Sequence, residues 1–318
     1  MRVLVVTNLK PDQRAPQRGR WVIDQIEAIR QHGVEVELFS FPLGKGQYLP
    51  ATRRLRGILR HERFDLVHAH YGLAGWCARL AGARPLVVTF HGTDVRHRVV
   101  GPMSRRLARR ADLAAGVSRA LFDSEGGRPG LPHVPGASAV LPCGPDLGRF
   151  RPLPRSEARS ELGLDADGRY LLFPADPARA EKRHDRAEEL ARACGADLLT
   201  GGGIAPDRMP LWVNAANAVV VTSQYEGFGL ACLESLACNV PVLSTPVGIA
   251  PLALRGIVGC LCAPYVTETW AKVAEPLLAE PDLRIAGAAR AATFSAARMG
   301  ERVVAAYNSM LSNDALRR

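Results

Sequence analysis

The sequence lacks a long hydrophobic run, although 47% of its 318 residues are hydrophobic. No apolar stretch approaches the roughly 18–20 residues that a membrane-spanning helix needs. The opening MRVLVVTN holds only a short apolar segment, which suits a buried strand better than a secretion signal. We therefore expect a cytoplasmic, globular protein whose length suits two domains.

Paired cysteines and the common glycine-rich phosphate loops are also missing. The seven cysteines are an odd number and include no CxxC pair, and most lie in apolar segments, as reduced thiols do in a cytosol. Cys260 and Cys262 have neither a second pair nor a nearby histidine to complete a metal site. Neither GxGxxG nor a P-loop occurs, so Gly201–Gly203 is interpreted as a tight turn.

Lysine is scarce, with 4 residues against 37 arginines, and the positive charge is unevenly distributed. Residues 1–150 carry 23 Lys and Arg against 12 Asp and Glu, whereas residues 151–318 carry 18 against 19. The charge predicts either a solvated helix surface or peripheral contact with an anionic membrane or lipid-linked acceptor. Nucleic acid is not expected, because aromatic residues are only 6% and no binding module accompanies the charge. The arginines form two groups: Arg53, Arg54, Arg56, Arg60 and Arg63, and then Arg105, Arg106, Arg109 and Arg110.

Short apolar strands alternate with helical patterns along the whole chain. Such alternation predicts an α/β protein with parallel sheets, and two Rossmann-like, doubly wound domains facing a cleft are the economical architecture. A loop-rich cluster, Gly126–Gly136, ends the first regular block, and Pro152 and Pro154 indicate a linker. We expect a first domain over 1–150, a second over 151–295, and a C-terminal helix over 296–318 that crosses back to the first.

The segment SQYEGFGLACLESLACNVPVLSTPVG places two acids in apolar surroundings. The strand that ends at Thr222 puts Glu226 at a strand's carboxyl end, where open α/β sheets bind ligands. Gly227 and Gly229 permit close approach of the backbone, and the amides of Phe228 to Leu230 begin a helix that suits a phosphate. Glu234 lies one turn inside that helix. Eight helical residues span about 12 Å, so the two acids are not expected to act on one bond. The alternative is structural: Glu234 caps or pairs at the helix, while Glu226 is a solvated acid of the loop.

This segment resembles the signature of retaining glycosyltransferase family 4, of the GT-B fold, whose E-x7-E motif corresponds to Glu226-GFGLACL-Glu234. The resemblance covers most of the chain. The strand PVLSTPVG, which follows the motif, also resembles the family's continuation. Six further segments are similar to the family in the same order: HGVEVELFSF, DLVHAH, VTFHGTD, VLPCGPDLGRFRP, LLFPADPARAEKRHDRA and MPLWVNAANAVVVTS.

The resemblance implies roles for individual residues. Glu226 would bind hydroxyls of a donor sugar, Glu234 would bind the nucleotide ribose, and the amides near Phe228–Leu230 would hold sugar and diphosphate. Lys182 would stabilise the departing nucleoside diphosphate. His91 would face the reacting sugar from the acceptor domain.

Weaker matches and departures accompany these assignments. Gly19 is similar to the glycine loop near the phosphates. Ala175-Asp176 stands where the family has Gly-Arg, so we expect Arg179 or Arg183 to replace that arginine. Because cationic side chains can stabilise the phosphates, no metal and no cofactor are expected, and retention fits a front-face transfer.

The expected activity is therefore retaining transfer of a sugar from a nucleotide-sugar donor to an unidentified acceptor. Two alternatives stay open. The first is a nucleotide-sugar epimerase of similar architecture, and the second is a non-catalytic module whose basic half binds an anionic partner.

Overall fold

The computed structural model describes residues 1–11, 18–124 and 129–317, so the first residues of the predicted loop Gly126–Gly136 lie outside the described ranges. The strands are β1 (Arg2–Thr7), β2 (Glu35–Ser40), β3 (Leu66–His70), β4 (Leu86–Phe90), β5 (Leu113–Gly116), β6 (Ser138–Val140), β7 (Tyr170–Phe173), β8 (Asp197–Thr200), β9 (Ala218–Val221), β10 (Val242–Ser244) and β11 (Leu261–Cys262). The helices are α1 (Arg20–Arg30), α2 (Tyr48–His61), α3 (Gly72–Ala81), α4 (Thr93–Arg96), α5 (Val100–Ala108), α6 (Arg155–Leu162), α7 (His184–Ala193), α8 (Met209–Ala215), α9 (Leu230–Ala237), α10 (Ala250–Ala253), α11 (Thr267–Ala279), α12 (Ala288–Ala292) and α13 (Ala296–Arg317).

The chain forms two compact units, each built on its own parallel sheet. Unit 1 contains residues 18–143 and 296–317 together with the first strand, and its sheet has the order β2-β1-β3-β4-β5-β6. Unit 2 contains Gly144–Ser295, with the order β11-β10-β9-β7-β8. In each sheet the chain first winds to one side and then to the other, which is the doubly wound topology. The predicted α/β class with two Rossmann-like domains is confirmed.

The central strands are hydrophobic throughout because helices cover both faces of a parallel sheet. Every residue of β3, β4 and β5 is buried. The helix α1 buries Val22, Ile26 and Ile29 at helical spacing.

The last helix, α13, belongs to unit 1 and packs against α1. Gly300 permits this close approach, because a Cβ there would lie 2.7 Å from the carbonyl oxygen of Ala28. Met299, Val303 and Tyr307 form the buried face of α13. A segment from the far end of the sequence thereby completes the core of unit 1.

Unit 2 begins at Gly144, before the proline pair that indicated a linker. Arg155, within the predicted linker, starts α6 and is only 1% exposed. Its guanidinium donates hydrogen bonds to the carbonyl oxygens of Pro281 (2.7 Å) and Leu283 (3.2 Å), which attaches α6 to the segment after α11. The core of the unit surrounds the fully buried Trp270. Among the helices that the structure describes, none has the length and hydrophobicity needed to cross a membrane.

Candidate active site

An ion pair lies at the carboxyl edge of the sheet in unit 2. Lys182 ends a short turn after β7, and Glu226 follows β9, the neighbouring strand. The Nζ of Lys182 donates hydrogen bonds to Oε1 and Oε2 of Glu226, at 2.6 and 2.7 Å. Ser223 Oγ donates to Oε1 at 2.8 Å. The side chains are 12% and 13% exposed, so this pair is nearly enclosed yet still reachable by a ligand.

Hydrogen bonds between the loops hold this pair in place. Thr222 Oγ1 donates to the carbonyl oxygens of Lys182 (3.0 Å) and Arg183 (2.9 Å), which joins the end of β9 to the turn after β7. The amide of Gln224 donates to the Glu181 carbonyl at 2.9 Å. Thr245 Oγ1, after β10, donates to the Ser223 carbonyl at 2.6 Å. The position of the ion pair is therefore fixed by three adjacent strand ends.

The glycines beside Glu226 shape the start of α9. Gly229 is the residue before the helix and has a φ of 85°, a conformation that suits glycine. Gly248 has a φ of 56°, and a Cβ there would overlap the carbonyl oxygen of Phe228. The Ile249 amide donates to that same oxygen at 2.6 Å. The loop from Glu226 to Gly229 therefore packs against the turn at Gly248. The sequence analysis did not identify Gly248 as a functional residue.

The remaining residues expected at the donor site lie near this loop or beside it in the chain. Glu234 is half-buried in the second turn of α9, and Leu230 is its first residue. Arg179 donates to the Glu181 carboxylate (2.6 Å) and Arg183 to that of Asp185 (2.6 Å), so each guanidinium is paired with an acid two residues further along. The choice between these two arginines as the replacement for the family arginine stays a prediction.

In unit 1, His91 follows β4 at the carboxyl edge and is surrounded by aromatic rings. The ring centroid of Trp21 lies 3.9 Å from that of His91, and Tyr71 stacks on His91 at 4.8 Å. Burial lowers the pKa of His91 well below its usual value, so the side chain is neutral at physiological pH. Sequence reasoning found His91 but not this enclosure.

Asp94 fixes the loop that carries His91. Its Oδ1 accepts hydrogen bonds from the amides of His91 and Gly92, and its Oδ2 accepts one from Gly72, each at 3.0 Å. Burial raises the pKa of Asp94 to about 6, against these three donors, which favour the ionised form. The segment VTFHGTD contained the signal, because Asp94 stands three residues after His91 and caps its loop.

Behind His91 lies a chain of buried polar rings. His70 Nδ1 is 3.1 Å from His91 Nε2. The ring of His68 lies 4.4 Å from that of His70. The His68 Nδ1 contacts Tyr307 Oη (2.6 Å), and the His68 Nε2 contacts Thr89 Oγ1 (2.8 Å). Burial lowers the pKa of His68 to about 3 and that of His70 well below its usual value. The last helix thus contributes to the setting of His91.

Gly19 supports the same cluster by its close contact with Leu9, which lies just after β1. It precedes α1 with a φ of 67°, and a Cβ there would overlap the carbonyl oxygen of Leu9. Two residues later, the ring of Trp21 packs against that of His91 at a tilt of 38°. The structure therefore links Gly19 to His91 through Trp21.

Within residues 1–11, 18–124 and 129–317, no group of three or more His, Cys, Asp or Glu side chains is arranged to hold a metal ion. One DxD triplet, Asp165-Ala166-Asp167, occurs, but it precedes β7 and so lies at the opposite edge of the sheet from Glu226. Metal independence stays a prediction.

Two doubly wound units of this kind define the GT-B class, and solved structures agree with that fold. Sucrose-phosphate synthase from Thermosynechococcus elongatus superposes with a TM-score of 0.74 at 19% identity, covering 98% of this chain and 99% of that one. The Anabaena protein HepE, solved with UDP and glucose, superposes with a TM-score of 0.69 at 18% identity, covering 97% and 100%.

Sequence comparisons then give the family. Residues 1–149 match the model "Glycosyltransferase Family 4", and residues 175–292 match "Glycosyl transferases group 1". The D-inositol 3-phosphate glycosyltransferases of Actinosynnema mirum and Thermobispora bispora are each 32% identical, over 80% and 83% of this chain and 75% of theirs. The chain belongs to glycosyltransferase family 4 and is a glycosyltransferase of the GT-B fold.

Proposed function

We propose that this enzyme transfers a glycosyl group, with retention of anomeric configuration, from a nucleotide-sugar to an anionic acceptor, and that it needs no metal. The observation that carries the proposal is the Lys182–Glu226 pair in front of the α9 N-terminus. An ammonium group and helix amides suit a diphosphate, and a carboxylate beside them suits sugar hydroxyls.

Binding of a donor would exchange the partners of this pair. Lys182 would turn from Glu226 towards the diphosphate, and Glu226 would accept hydrogen bonds from sugar hydroxyls in its place. Neither charge is then left unpaired in a nearly enclosed site, which would otherwise cost several kcal/mol. Ser223 Oγ, which donates to Glu226 Oε1 at 2.8 Å, would keep this hydrogen bond during the exchange.

The reaction needs charge stabilisation more than a protein nucleophile. As the bond to the nucleoside diphosphate breaks, negative charge grows on the phosphate oxygens, where Lys182 would act. The departing phosphate would take the proton of the acceptor hydroxyl on the same face, which gives retention. Lys182 would thereby fill the role that a metal ion fills in other transferases.

The acceptor is proposed to carry negative charge. The curated relatives are named for D-inositol 3-phosphate, a phosphorylated polyol. Unit 1 presents exposed arginines on α2 and α5, both of which pack against α3, and exposed apolar side chains accompany them: Leu49, Leu80, Val99 and Met103. This mixture suits an anionic bilayer surface, or an acceptor presented there.

A thermal-shift screen against UDP, GDP and ADP, each with and without a sugar, tests the donor. A ligand at a hundred times its dissociation constant should stabilise the folded state by about 2.7 kcal/mol. Lys182→Met should lose the shift, whereas Lys272→Met, an exposed lysine of the same unit, should keep it. Stabilisation that is equal in both variants would contradict the proposed role of Lys182.

Product analysis tests the reaction. With the donor found by the screen, NMR of the product should show the anomeric configuration of the donor, and a metal chelator should leave the rate unchanged. An inverted product would refute retention, and a rate abolished by the chelator would refute metal independence. A donor sugar altered without any acceptor would instead identify an epimerase.

Vesicle sedimentation tests the basic surface. Binding to vesicles that contain phosphatidylserine should weaken in the double variant Arg53→Glu/Arg60→Glu by about 1 kcal/mol per residue. Arg192→Glu/Arg255→Glu, with equal charge change in unit 2, is the control. If both double variants bind vesicles as tightly as the unchanged protein does, the arginine surface of unit 1 faces solvent and does not bind the membrane.

A further inference from the structure

The hydrogen bond between two histidine rings in unit 1 constrains where the proton of His91 resides. His70 Nδ1 and His91 Nε2 are 3.1 Å apart, so one of them carries a proton and the other accepts it. Both rings are neutral, because burial lowers both pKa values well below the usual one. Each ring therefore carries a single proton, and two arrangements are available.

The far side of His70 distinguishes these arrangements. His70 is fully buried, and its Nε2 has no hydrogen-bond partner among the residues that the structure describes. If His91 donated to His70, the His70 proton would lie on Nε2 as an unpaired buried N–H, which proteins rarely tolerate. If His70 donates to His91, Nε2 is a buried acceptor without a donor, which is tolerated more often.

We infer that His70 is a positioning residue that donates from Nδ1 to His91 Nε2 and so fixes the proton of His91 on Nδ1. His91 then presents an N–H donor from its remaining nitrogen and has no free lone pair to act as a base. Which nitrogen of a histidine is protonated is commonly set by the hydrogen bond that the other nitrogen makes.

The surroundings hold this arrangement. Trp21 and Tyr71 pack against the His91 ring, and Asp94 holds its backbone amide, so the ring has little freedom to turn over. His70 is held in turn by the ring of His68, whose two nitrogens contact Tyr307 and Thr89. The last helix therefore supports the His91 tautomer through His68 and His70.

The inference deepens the proposed function and rests on it for its kinetic consequence. In a front-face transfer the leaving phosphate accepts the acceptor proton, so a histidine at the acceptor site is needed as a hydrogen-bond donor and not as a base. A neutral His91 with Nδ1–H would donate to an oxygen of a substrate bound by unit 1. This role gives no ionisation of His91 in the pH profile between about 5 and 8.

Long-range 1H–15N NMR of the ligand-free full chain, labelled with 15N-histidine, tests the tautomer directly, because protonated and bare ring nitrogens resonate in separate ranges. His91 should show a protonated Nδ1 and a bare Nε2. The reverse pattern would overturn the inference. This measurement requires no donor, acceptor or turnover, so its failure is distinguishable from failure of the proposed function.

Variants of His70 test its positioning role. His70→Asn keeps an N–H donor near the position of Nδ1, whereas His70→Leu removes it. We expect His70→Leu to give a mixture of His91 tautomers and to lower kcat on the order of tenfold, with little change in the KM for the donor. His70→Asn should restore one tautomer and most of kcat. Loss of kcat in both variants with an unchanged His91 tautomer would refute the role, and His32→Leu, at an exposed histidine, is the control.

Discussion

The two units both place their candidate residues at the carboxyl edge of a parallel sheet, but the surroundings of those residues differ. In unit 2 the strand ends present a lysine and a glutamate, both charged and bound to each other. In unit 1 they present neutral histidines enclosed by aromatic rings, with lowered pKa values. Topology therefore fixes where the side chains lie, and local burial decides whether they act through charge or through a neutral hydrogen bond.

The largest expected effect is at the charged site. Glu226→Gln keeps the size of the side chain but removes the charge that pairs with Lys182 and would bind sugar hydroxyls. We expect kcat to fall about 10²–10³-fold, or roughly 3–4 kcal/mol in the barrier. Steady-state kinetics with the donor found by the thermal-shift screen would measure this.

Glu275→Gln, an exposed acid on α11 of the same unit, should leave the rate unchanged. A Glu226→Gln variant with full activity would show that the charge of Glu226 is not needed for the reaction, and the proposed contrast between the two units would fail.

Glycine substitutions test whether both sites depend equally on close backbone approach. Gly248→Ala in unit 2 and Gly19→Ala in unit 1 each combine a left-handed φ with an overlap against a carbonyl oxygen. Each should lower the free energy of unfolding by about 3 kcal/mol, the sum of backbone strain and overpacking. Urea denaturation measures both.

The matched controls have the same conformation in open space. Gly203→Ala and Gly33→Ala have positive φ values with no atom within 4 Å of the added Cβ, so only the strain of about 1–2 kcal/mol is expected. Equal losses at Gly248 and Gly203 would mean that the Gly248 turn does not support the Glu226 loop.

Acid should destabilise unit 1 more than unit 2, because unit 1 contains three histidines whose pKa values burial lowers. Three histidines stay neutral in the folded protein but gain protons in the unfolded chain below about pH 6.5: His68, His70 and His91. Their contribution to the free energy of unfolding is therefore lost as pH falls. Asp94 has the opposite sign, because its folded pKa is raised to about 6 and its stability contribution grows as pH falls towards 4. Three histidines gain protons on unfolding while Asp94 releases one, so the net stability of unit 1 should fall as pH drops below about 6, by about 1.4 kcal/mol per pH unit for each net proton taken up.

Hydrogen exchange read by mass spectrometry at pH 7, 6 and 5 can follow each unit separately, after correction for the intrinsic exchange rate. Protection in unit 1 should fall more steeply than in unit 2. Asp94→Asn removes the opposing contribution, so the loss of stability should become steeper by up to about 1.4 kcal/mol per pH unit between about pH 6 and pH 4. Parallel loss in both units would show that the buried histidines do not set the difference.

Much of this arrangement could be predicted from the sequence, and the remainder shares one physical cause. Hydrophobic runs gave the strands, and the E-x7-E spacing with its glycines gave Glu226 and the start of α9. The contacts within each site join residues that are distant in the sequence: Lys182 and Glu226 are 44 positions apart, and His68 and Tyr307 are 239 apart. Such pairs depend on which strands become neighbours, and strand order is not written in local periodicity.

Histidine at two strand ends was nevertheless a usable signal. DLVHAH and VTFHGTD each place a histidine at a carboxyl end, and β3 and β4 are adjacent in the sheet. In a sheet that pairs these strands, His70 and His91 must lie close together. The tautomer could not be read in this way, because it depends on the burial of His70 Nε2.

The smallest expected effect separates charge from backbone conformation at Arg183. This residue precedes α7 with a φ of 56°, which costs a residue with a Cβ about 1–2 kcal/mol relative to glycine. Arg183→Gly should therefore raise the free energy of unfolding by about 1 kcal/mol, whereas Arg183→Ala keeps the strain and should not. Both remove the guanidinium that pairs with Asp185 and that could replace the family arginine. If both variants weaken donor binding equally in the thermal-shift assay, the Arg183 guanidinium binds the donor phosphate, and the strained backbone conformation is kept to position it. If neither variant weakens donor binding, Arg179 is the remaining candidate for the family arginine, and Arg183 is not among the cations that bind the donor.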